Sequence, residues 1–384
     1  DNKKEILEVK LINFFEGEHE LEIEFEGELK DNLIGFYRSK VDENEYIATT
    51  QFESNYARRA FPCFDEPKFK SEFELSLLID KDLIAISNMP IKREEIRNDK
   101  RFVEFEKTPK MPTYLLYIGV GKFDYISDEK NFIRVYATKG KGKLGKFSLN
   151  FAKKCLEFFE NYTQIKYPLP KLDLIGIPDF GAGAMENWGA ITFREVLLLF
   201  DEKNVSEKLK FSTAMIIAHE LWHQWSGNLV TMYWWDDLWL NESFASYMAY
   251  KALEKIYPNI NALEFFVDNE TSNAMVRDSL KNTHSIKVPI KRLDEVEEIF
   301  DEICYGKGAS ILRMVENYIG EEKFQEAIRK FLEKFKYSNA RGEDFWNVLE
   351  EVSNKPVKNF VESWIKKEGY PYVEVRVRKN YLSL

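Results

Sequence analysis

Cysteine is scarce. The 384-residue chain has three, Cys63, Cys155 and Cys304, odd in number and far apart. No disulfide framework or Cys-x-x-Cys metal site can be assembled from them, so buried thiols in a reducing, cytoplasmic setting are the expectation. Histidine is nearly as rare, with four residues. Glutamine is confined to positions 51, 164, 224 and 325 amid abundant Lys and Glu, a bias that resembles thermophile composition. Basic charge is in deficit, 55 Lys+Arg against 65 Asp+Glu, for a net charge of −10. A nucleic-acid partner needs a basic face, so none is expected. No run approaches the ~18 uncharged apolar residues of a membrane-spanning helix, so no membrane partner is expected either. The segment from Asp1 to Leu7 is charged and lacks the apolar core of a signal peptide. Apolar residues are plentiful at 44%, which excludes a disordered chain. The length suits two packed domains, or a pair plus a remnant.

The first 140 residues read as β structure. His19 to Gly27 alternates, with Leu21, Ile23 and Phe25 on one face and Glu22, Glu24 and Glu26 on the other. Phe73 to Ile79, Leu83 to Ser87, Tyr114 to Val120 and Phe132 to Tyr136 are further apolar runs of strand length, separated by turn signals such as Asn88-Met89-Pro90. The Gly/Lys run from Lys139 to Lys146 reads as a hinge or exposed loop, since it fits no nucleotide-binding spacing. Beyond it the period becomes helical. Phe147, Phe151, Cys155, Phe158, Phe159 and Tyr162 share one stripe, and helical stretches follow around 210–226, 240–256, 308–318, 321–335, 343–353 and 357–367. Tyr372 to Val377 returns to strand-like alternation.

Chemistry concentrates in His219-Glu220-Leu221-Trp222-His223. Residues i and i+4 share a helical face, so both imidazoles can address one ion, and Glu220 lies beside it to take a proton from bound water. With so few histidines the pattern has a chance expectation of ~0.007 in a chain of this composition. Zinc is the metal that suits such ligands, and catalytic sites of this kind carry a third protein ligand. Glu242 opens the next helical stretch and could fold back to supply it, but spacing alone leaves that position open among many glutamates.

His-Glu-x-x-His followed after eighteen residues by the Glu of Asn241-Glu242-Ser243-Phe244-Ala245 resembles the gluzincin aminopeptidases: aminopeptidase N, the tricorn-interacting factors, puromycin-sensitive aminopeptidase and leukotriene A4 hydrolase. Three further segments agree, in the family's order: Thr50-Gln51-Phe52-Glu53 leading into Ala57 to Pro67, then Gly183-Ala184-Met185-Glu186-Asn187, then Tyr305-Gly306-Lys307-Gly308.

That resemblance implies an α+β multidomain fold. A β-rich N-terminal domain, roughly 1–140, would pack on a thermolysin-like α/β catalytic domain at 144–368, with 369–384 beginning a further β domain. It implies one zinc ion per chain, held by His219, His223 and Glu242, with Glu220 as general base and Tyr305 as donor to the oxygen of the tetrahedral intermediate. Glu186, with Glu53, would grip a substrate's free α-ammonium, and Gln51, Gly183, Ala184, Met185 and Asn187 would line the substrate. The implied function is removal of single residues from peptides with a free N-terminus. Alternatives sharing the zinc residues are a thermolysin-like endopeptidase, epoxide hydrolysis of the leukotriene A4 hydrolase type, and a non-catalytic scaffold. Trp222, Ser226 and Ser243 depart from common family residues, and the chain is shorter than expected, so it reads as beginning inside the first domain and ending just inside the third. Trp234, Trp235 and Trp239 read as core, Asp65-Glu66-Pro67 as a structural turn, His19 as inert, and His284 has no assignable ligand role.

Overall fold

The computed structural model describes residues 6–10, 16–372, 374–378 and 381–383. Strands fall between positions 35 and 138 in the first part of the chain and helices dominate from 146 onward, a mixed α+β architecture. By contact density the chain divides into two sets: residues 1–234 with 332–340, and residues 235–331 with 341–384.

In the first set, a four-stranded antiparallel sheet runs Gly35–Lys40, Tyr46–Gln51, Ile118–Gly121, Ile84–Ser87 in spatial order. A three-stranded sheet places Lys100–Phe105 between Ser76–Asp80 and Ile91–Arg97. A five-stranded mixed sheet is centred on Leu172–Ile177, which pairs in parallel with both Ile133–Thr138 and Ala190–Arg194. Every residue of that central strand is buried, as a strand covered on both faces requires. A parallel pair needs a long crossover, and the helix Lys146–Thr163 supplies it between Ile133–Thr138 and Leu172–Ile177. Ser338–Ala340 belongs to this set because it pairs in parallel with Val230–Met232.

The second set is helical and includes Trp239–Ile256, Gly308–Ile319, Gly342–Ser353 and Val357–Ile365. Its core is aromatic. Trp239 and Trp346 stack at 5.1 Å and 3°, and Phe244 meets Phe345 edge-on at 4.9 Å. Two single turns of π-helix, Val267–Thr271 and Ile303–Lys307, interrupt the regular helices.

The helical periods are realised closely: the stripe of Phe147 to Tyr162 forms Lys146–Thr163, and the stretch at 210–226 forms Glu207–His223. Two local expectations are corrected. Residues 18–29 form no strand, and Leu21, Ile23 and Phe25 are exposed. Alternation provides an apolar face, but a strand also needs a neighbour for its backbone groups, and no described segment pairs with this one. The Gly/Lys run, in turn, is partly packed. Gly142–Gly145 forms a 3₁₀ turn with both glycines buried, and a Cβ on Gly145 would stand 2.6 Å from Val135 Cγ1. The glycines therefore permit close approach to a strand rather than an open linker. At the other end Arg376–Arg378 pairs with Tyr381–Ser383, while Val373 of the alternating tail lies outside the described residues.

Candidate metal centre

The helix Glu207–His223 starts where Ser206 caps it, its hydroxyl oxygen accepting from the Leu209 amide at 3.2 Å. Ala214, Ile217, Ala218 and Leu221 are fully buried along it. Trp222, the departure between the two histidines, points into the core, edge-on to Phe159 at 5.3 Å and to Tyr162 at 6.4 Å. It therefore anchors the histidine helix to Lys146–Thr163 and lines no cleft. After His223 the chain leaves the helix and turns at Gly227, whose φ of 131° suits glycine and whose amide donates to the Val230 carbonyl at 2.7 Å.

At the helix end His219 Nε2 and His223 Nε2 face one another at 3.0 Å, with ring planes 73° apart. His223 Nδ1 lies 3.2 Å from the Ser226 carbonyl. A carbonyl only accepts, so Nδ1 carries the proton and Nε2 offers a lone pair, the orientation in which a metal-binding imidazole is held. Two nitrogens at ~2.0–2.1 Å from a tetrahedral ion stand about 3.3 Å apart. The observed pair is a few tenths of an ångström closer, which small side-chain rotations accommodate.

Carboxylates crowd the same place. Glu186, Glu220 and His223 each offer a ligand atom within 4.8 Å of the others, and all three are buried. Glu53 brings a carboxylate oxygen within 4.8 Å of Glu186. Carboxylates and an imidazole gathered in this way could hold a cation.

Glu186 follows a short edge strand. Ala184–Met185 pairs antiparallel with Ala190–Arg194 and is the last strand of the five-stranded sheet on that side among the described residues. The Arg194 amide donates to the Gly183 carbonyl at 2.9 Å, and Gly181, Ala182 and Gly183 are exposed. An exposed edge of this kind can pair with an extended peptide. Gln51 ends the strand Tyr46–Gln51, buried, and its Oε1 has no hydrogen-bond partner among the described residues. Asn187 Nδ2 donates to Thr192 Oγ1 at 3.1 Å, which fixes the turn after Glu186.

Two supporting residues escaped the sequence reading. Gln224 Nε2 donates to the carbonyls of Glu186 (3.2 Å) and Glu220 (3.1 Å), while its Oε1 accepts from the Gly189 amide at 3.2 Å. Asn228 Nδ2 donates to the Glu186 carbonyl at 2.8 Å. Together they bind the backbone of Glu186 to the histidine helix. Their signal was available: polar amides directly after the second histidine, in a segment otherwise suited to burial. Behind them Lys70 Nζ donates to the carbonyls of Ser338 (2.8 Å) and Asn228 (3.4 Å), and burial pushes its pKa down to about 7.

In the second set of residues, Glu242 is buried in the first turn of Trp239–Ile256. Tyr305 sits in the π-turn Ile303–Lys307, its amide donating to the Asp301 carbonyl at 3.0 Å. Ser243, next to Glu242, donates its hydroxyl to the Cys304 carbonyl at 2.5 Å. Most of the residues read as structural are so placed, but Trp234, expected in the core, is only half-buried. Asp65 accepts from the Arg58 amide at 3.0 Å, from Arg58 Nε at 3.2 Å and from Thr113 Oγ1 at 2.6 Å, and Trp235 and Trp239 are buried. His19 is exposed. No described helix is long and apolar enough to cross a membrane.

Known proteins resemble this chain along most of its length. Residues 147–364 match the profile of the peptidase family M1 domain, and residues 1–115 that of the peptidase M1 N-terminal domain. The chain is 52% identical over 367 residues to "Probable aminopeptidase 2" of Sulfurisphaera tokodaii, covering 95% of this chain and 47% of that protein. It is 52% identical to "Tricorn protease-interacting factor F2" of Thermoplasma acidophilum, over 92% of this chain and 45% of that protein. It is 49% identical to "Leucyl aminopeptidase" of Saccharolobus solfataricus, over 95% and 46% respectively. The chain thus spans about half the length of the curated relatives it matches. With the helix-borne histidine pair, the buried glutamates beside it and a domain profile covering more than half of its residues, the chain belongs to peptidase family M1.

Proposed function

We propose that the protein is a zinc-dependent aminopeptidase that releases single residues from the free N-termini of peptides. The observation that carries this reading is the buried group of Glu186, Glu220 and His223, with Glu53 beside Glu186. An endopeptidase needs only the zinc ligands and the general base. A carboxylate pair suited to a monovalent cation has a use when the substrate begins there with an ammonium.

The donor set fits zinc, since His223 presents an unprotonated Nε2 toward His219 Nε2. We assign Glu242 as the third ligand from its burial and its place after His223, with eighteen residues between the two. Zinc, when bound, supplies a Lewis acid and an activated water near neutral pH. Glu220 takes one proton from the attacking water as the C–O bond forms, and delivers it to the leaving nitrogen as the C–N bond breaks. Tyr305 donates its hydroxyl to the oxygen that gains charge at the scissile carbon. Glu186 and Glu53 hold the α-ammonium, while the edge strand Ala184–Met185 and the Gly183 backbone pair with the substrate's extended backbone.

The test is metal stoichiometry set beside turnover. The parent and Glu220→Gln should each bind one zinc per chain, with kcat of Glu220→Gln lowered ~10²–10⁴-fold, whereas Glu242→Ala and His223→Ala should bind zinc far more weakly. Full zinc affinity in Glu242→Ala would remove that residue from the ligand set.

A further inference from the structure

The π-turn that carries Tyr305 is held from outside by a charged triad that the mechanism above does not use. Asp301 precedes the turn. Its Oδ1 accepts from the amides of Ile303 (2.9 Å) and Cys304 (3.3 Å), and its backbone carbonyl accepts from the Tyr305 amide at 3.0 Å. Its Oδ2 accepts from His284 Nε2 at 3.0 Å and forms an ion pair with Arg277, whose Nε lies 3.2 Å away. A single carboxylate thus caps the turn with one oxygen and is clamped by two side chains with the other. Arg277 is fixed in turn, donating through Nη1 to the Asn282 carbonyl at 3.1 Å.

His284 is the informative member. Its Nε2 faces a carboxylate, and its Nδ1 faces the Ser285 carbonyl at 2.8 Å. Both partners are acceptors only, so neither neutral tautomer can satisfy both bonds and the imidazolium can. Hydrogen bonding to Asp301 raises the His284 pKa above its ordinary value, against the opposing effects of burial and of Arg277. Burial pushes the Asp301 carboxyl up, but His284 and the Cys304 and Ile303 amides outweigh it and hold the pKa below the usual range. Asp301 and Arg277 are the charged groups that face this ring.

The far end of the same turn is also fixed. Lys307 Nζ lies 2.8 Å from Asp278 Oδ2, and a Cβ on Gly306 would stand 2.5 Å from the Glu270 carbonyl oxygen. The turn therefore has little freedom to drift, and the direction of the Tyr305 side chain is set by a backbone that Asp301 nucleates. π-turns of this kind recur at functional sites.

We infer that the Asp301–His284–Arg277 triad positions Tyr305 for catalysis, so that His284, remote in sequence, acts on the reaction only through the tyrosine. The inference rests on the role proposed above for Tyr305. Misplacing a catalytic group by about 1 Å can cost up to ~10²-fold in rate. Loss of one clamp should therefore lower kcat about tenfold while leaving KM within about twofold.

A double-mutant cycle on the zinc-loaded protein tests it, with an amino-acid 4-nitroanilide as substrate and thermal unfolding followed in parallel. Tyr305→Phe should lower kcat ~10²–10³-fold, as loss of an oxyanion donor does. His284→Ala should lower kcat about tenfold, His284→Gln should recover most of that, and His284→Ala/Tyr305→Phe should be no slower than Tyr305→Phe alone. The parent's kcat should also fall as pH rises through the His284 pKa, a limb that His284→Gln should lack. Equal losses from His284→Ala in both backgrounds, or no loss in the parent, would overturn the positioning role while leaving the function of Tyr305 intact. An unaffected kcat in Tyr305→Phe would overturn both together. If His284→Ala does not fold, Arg277→Gln takes its place in the same cycle, with the same readings.

Discussion

Gly308 follows the Tyr305 turn and opens the helix Gly308–Ile319. A Cβ placed there would stand 1.9 Å from Ser243 Oγ and 2.8 Å from Ser243 Cβ, with Ile286 Cγ2 in ordinary contact at 3.8 Å. Real contacts are never so short, so Gly308→Ala must displace Ser243. Rotating the hydroxyl away relieves the first contact and breaks the bond to the Cys304 carbonyl. The second contact remains, because Ser243 Cβ is fixed to its helix. Overpacking of this sort costs about 1–3 kcal/mol, and the lost hydrogen bond about 1 kcal/mol. Alanine recovers ~0.8–1 kcal/mol as the better helix former. The net expectation is a destabilisation of about 2 kcal/mol. Ser243→Gly removes both clashing atoms, so in that background Gly308→Ala should become neutral or slightly stabilising. Urea unfolding of the four proteins of the cycle measures this directly. Gly308→Ala costing the same with serine or glycine at 243 would refute the claim that these two positions confront each other.

Three further outcomes follow from the site. Glu220→Gln should lose ~10²–10⁴-fold in kcat, the range of general acid–base catalysis, with zinc content and unfolding temperature unchanged when read by atomic emission and calorimetry. Gln224→Leu keeps the volume but removes a donor and an acceptor that touch Glu186, Glu220 and Gly189. It should cost about 1–3 kcal/mol through the buried groups left unsatisfied and raise KM for free-amine peptides, both measurable on the purified variant. Lys70 gives up its proton near pH 7 in the folded chain, whereas an unfolded lysine keeps it to about pH 10.4. Between those values the unfolded chain binds more protons, so stability should rise with pH across that window. Lys70→Met should flatten the rise in urea midpoints between pH 7 and 10, and an unchanged slope would count against the buried placement of this amine.

Much of the fold was legible because helices announce themselves through long periodic stripes. Phe147 to Tyr162 and the segment around His219 each have enough turns for the period to show. Strands are shorter, and alternation at 18–29 says nothing about whether a partner strand exists, which is why that segment misled. The glycines at 142 and 145 misled for a related reason. Glycine marks both flexible loops and close approaches, and only the positions of Asp124 beside Gly142 and Val135 beside Gly145 distinguish them. At the site, the spacing of His219 and His223 carries its own geometry and could be read directly. Glu53 and Glu186 could not be found by spacing, since 133 positions separate them and only the fold brings their carboxylates within 4.8 Å. They were legible through family resemblance alone. Gln224 and Asn228 act on backbone carbonyls, so the amides after His223 signal a polar role without showing that their partner is the loop of Glu186. Tyr305, one of nineteen tyrosines, was selected by its Tyr-Gly-Lys-Gly setting. The structure adds a physical reason for both glycines of that setting, at Glu270 and at Ser243.

The central claim is that the carboxylates of Glu186 and Glu53 admit substrates by their free ammonium. It is tested most directly by giving the zinc-loaded protein one peptide in two forms, free and N-acetylated, and following the products by mass spectrometry. The account predicts stepwise loss of single residues from the free form and none from the acetylated form, with the distinction weakened in Glu186→Ala. Internal cleavage of both forms at similar rates would contradict it, because the histidine centre would then be serving an open cleft with no use for Glu186 and Glu53.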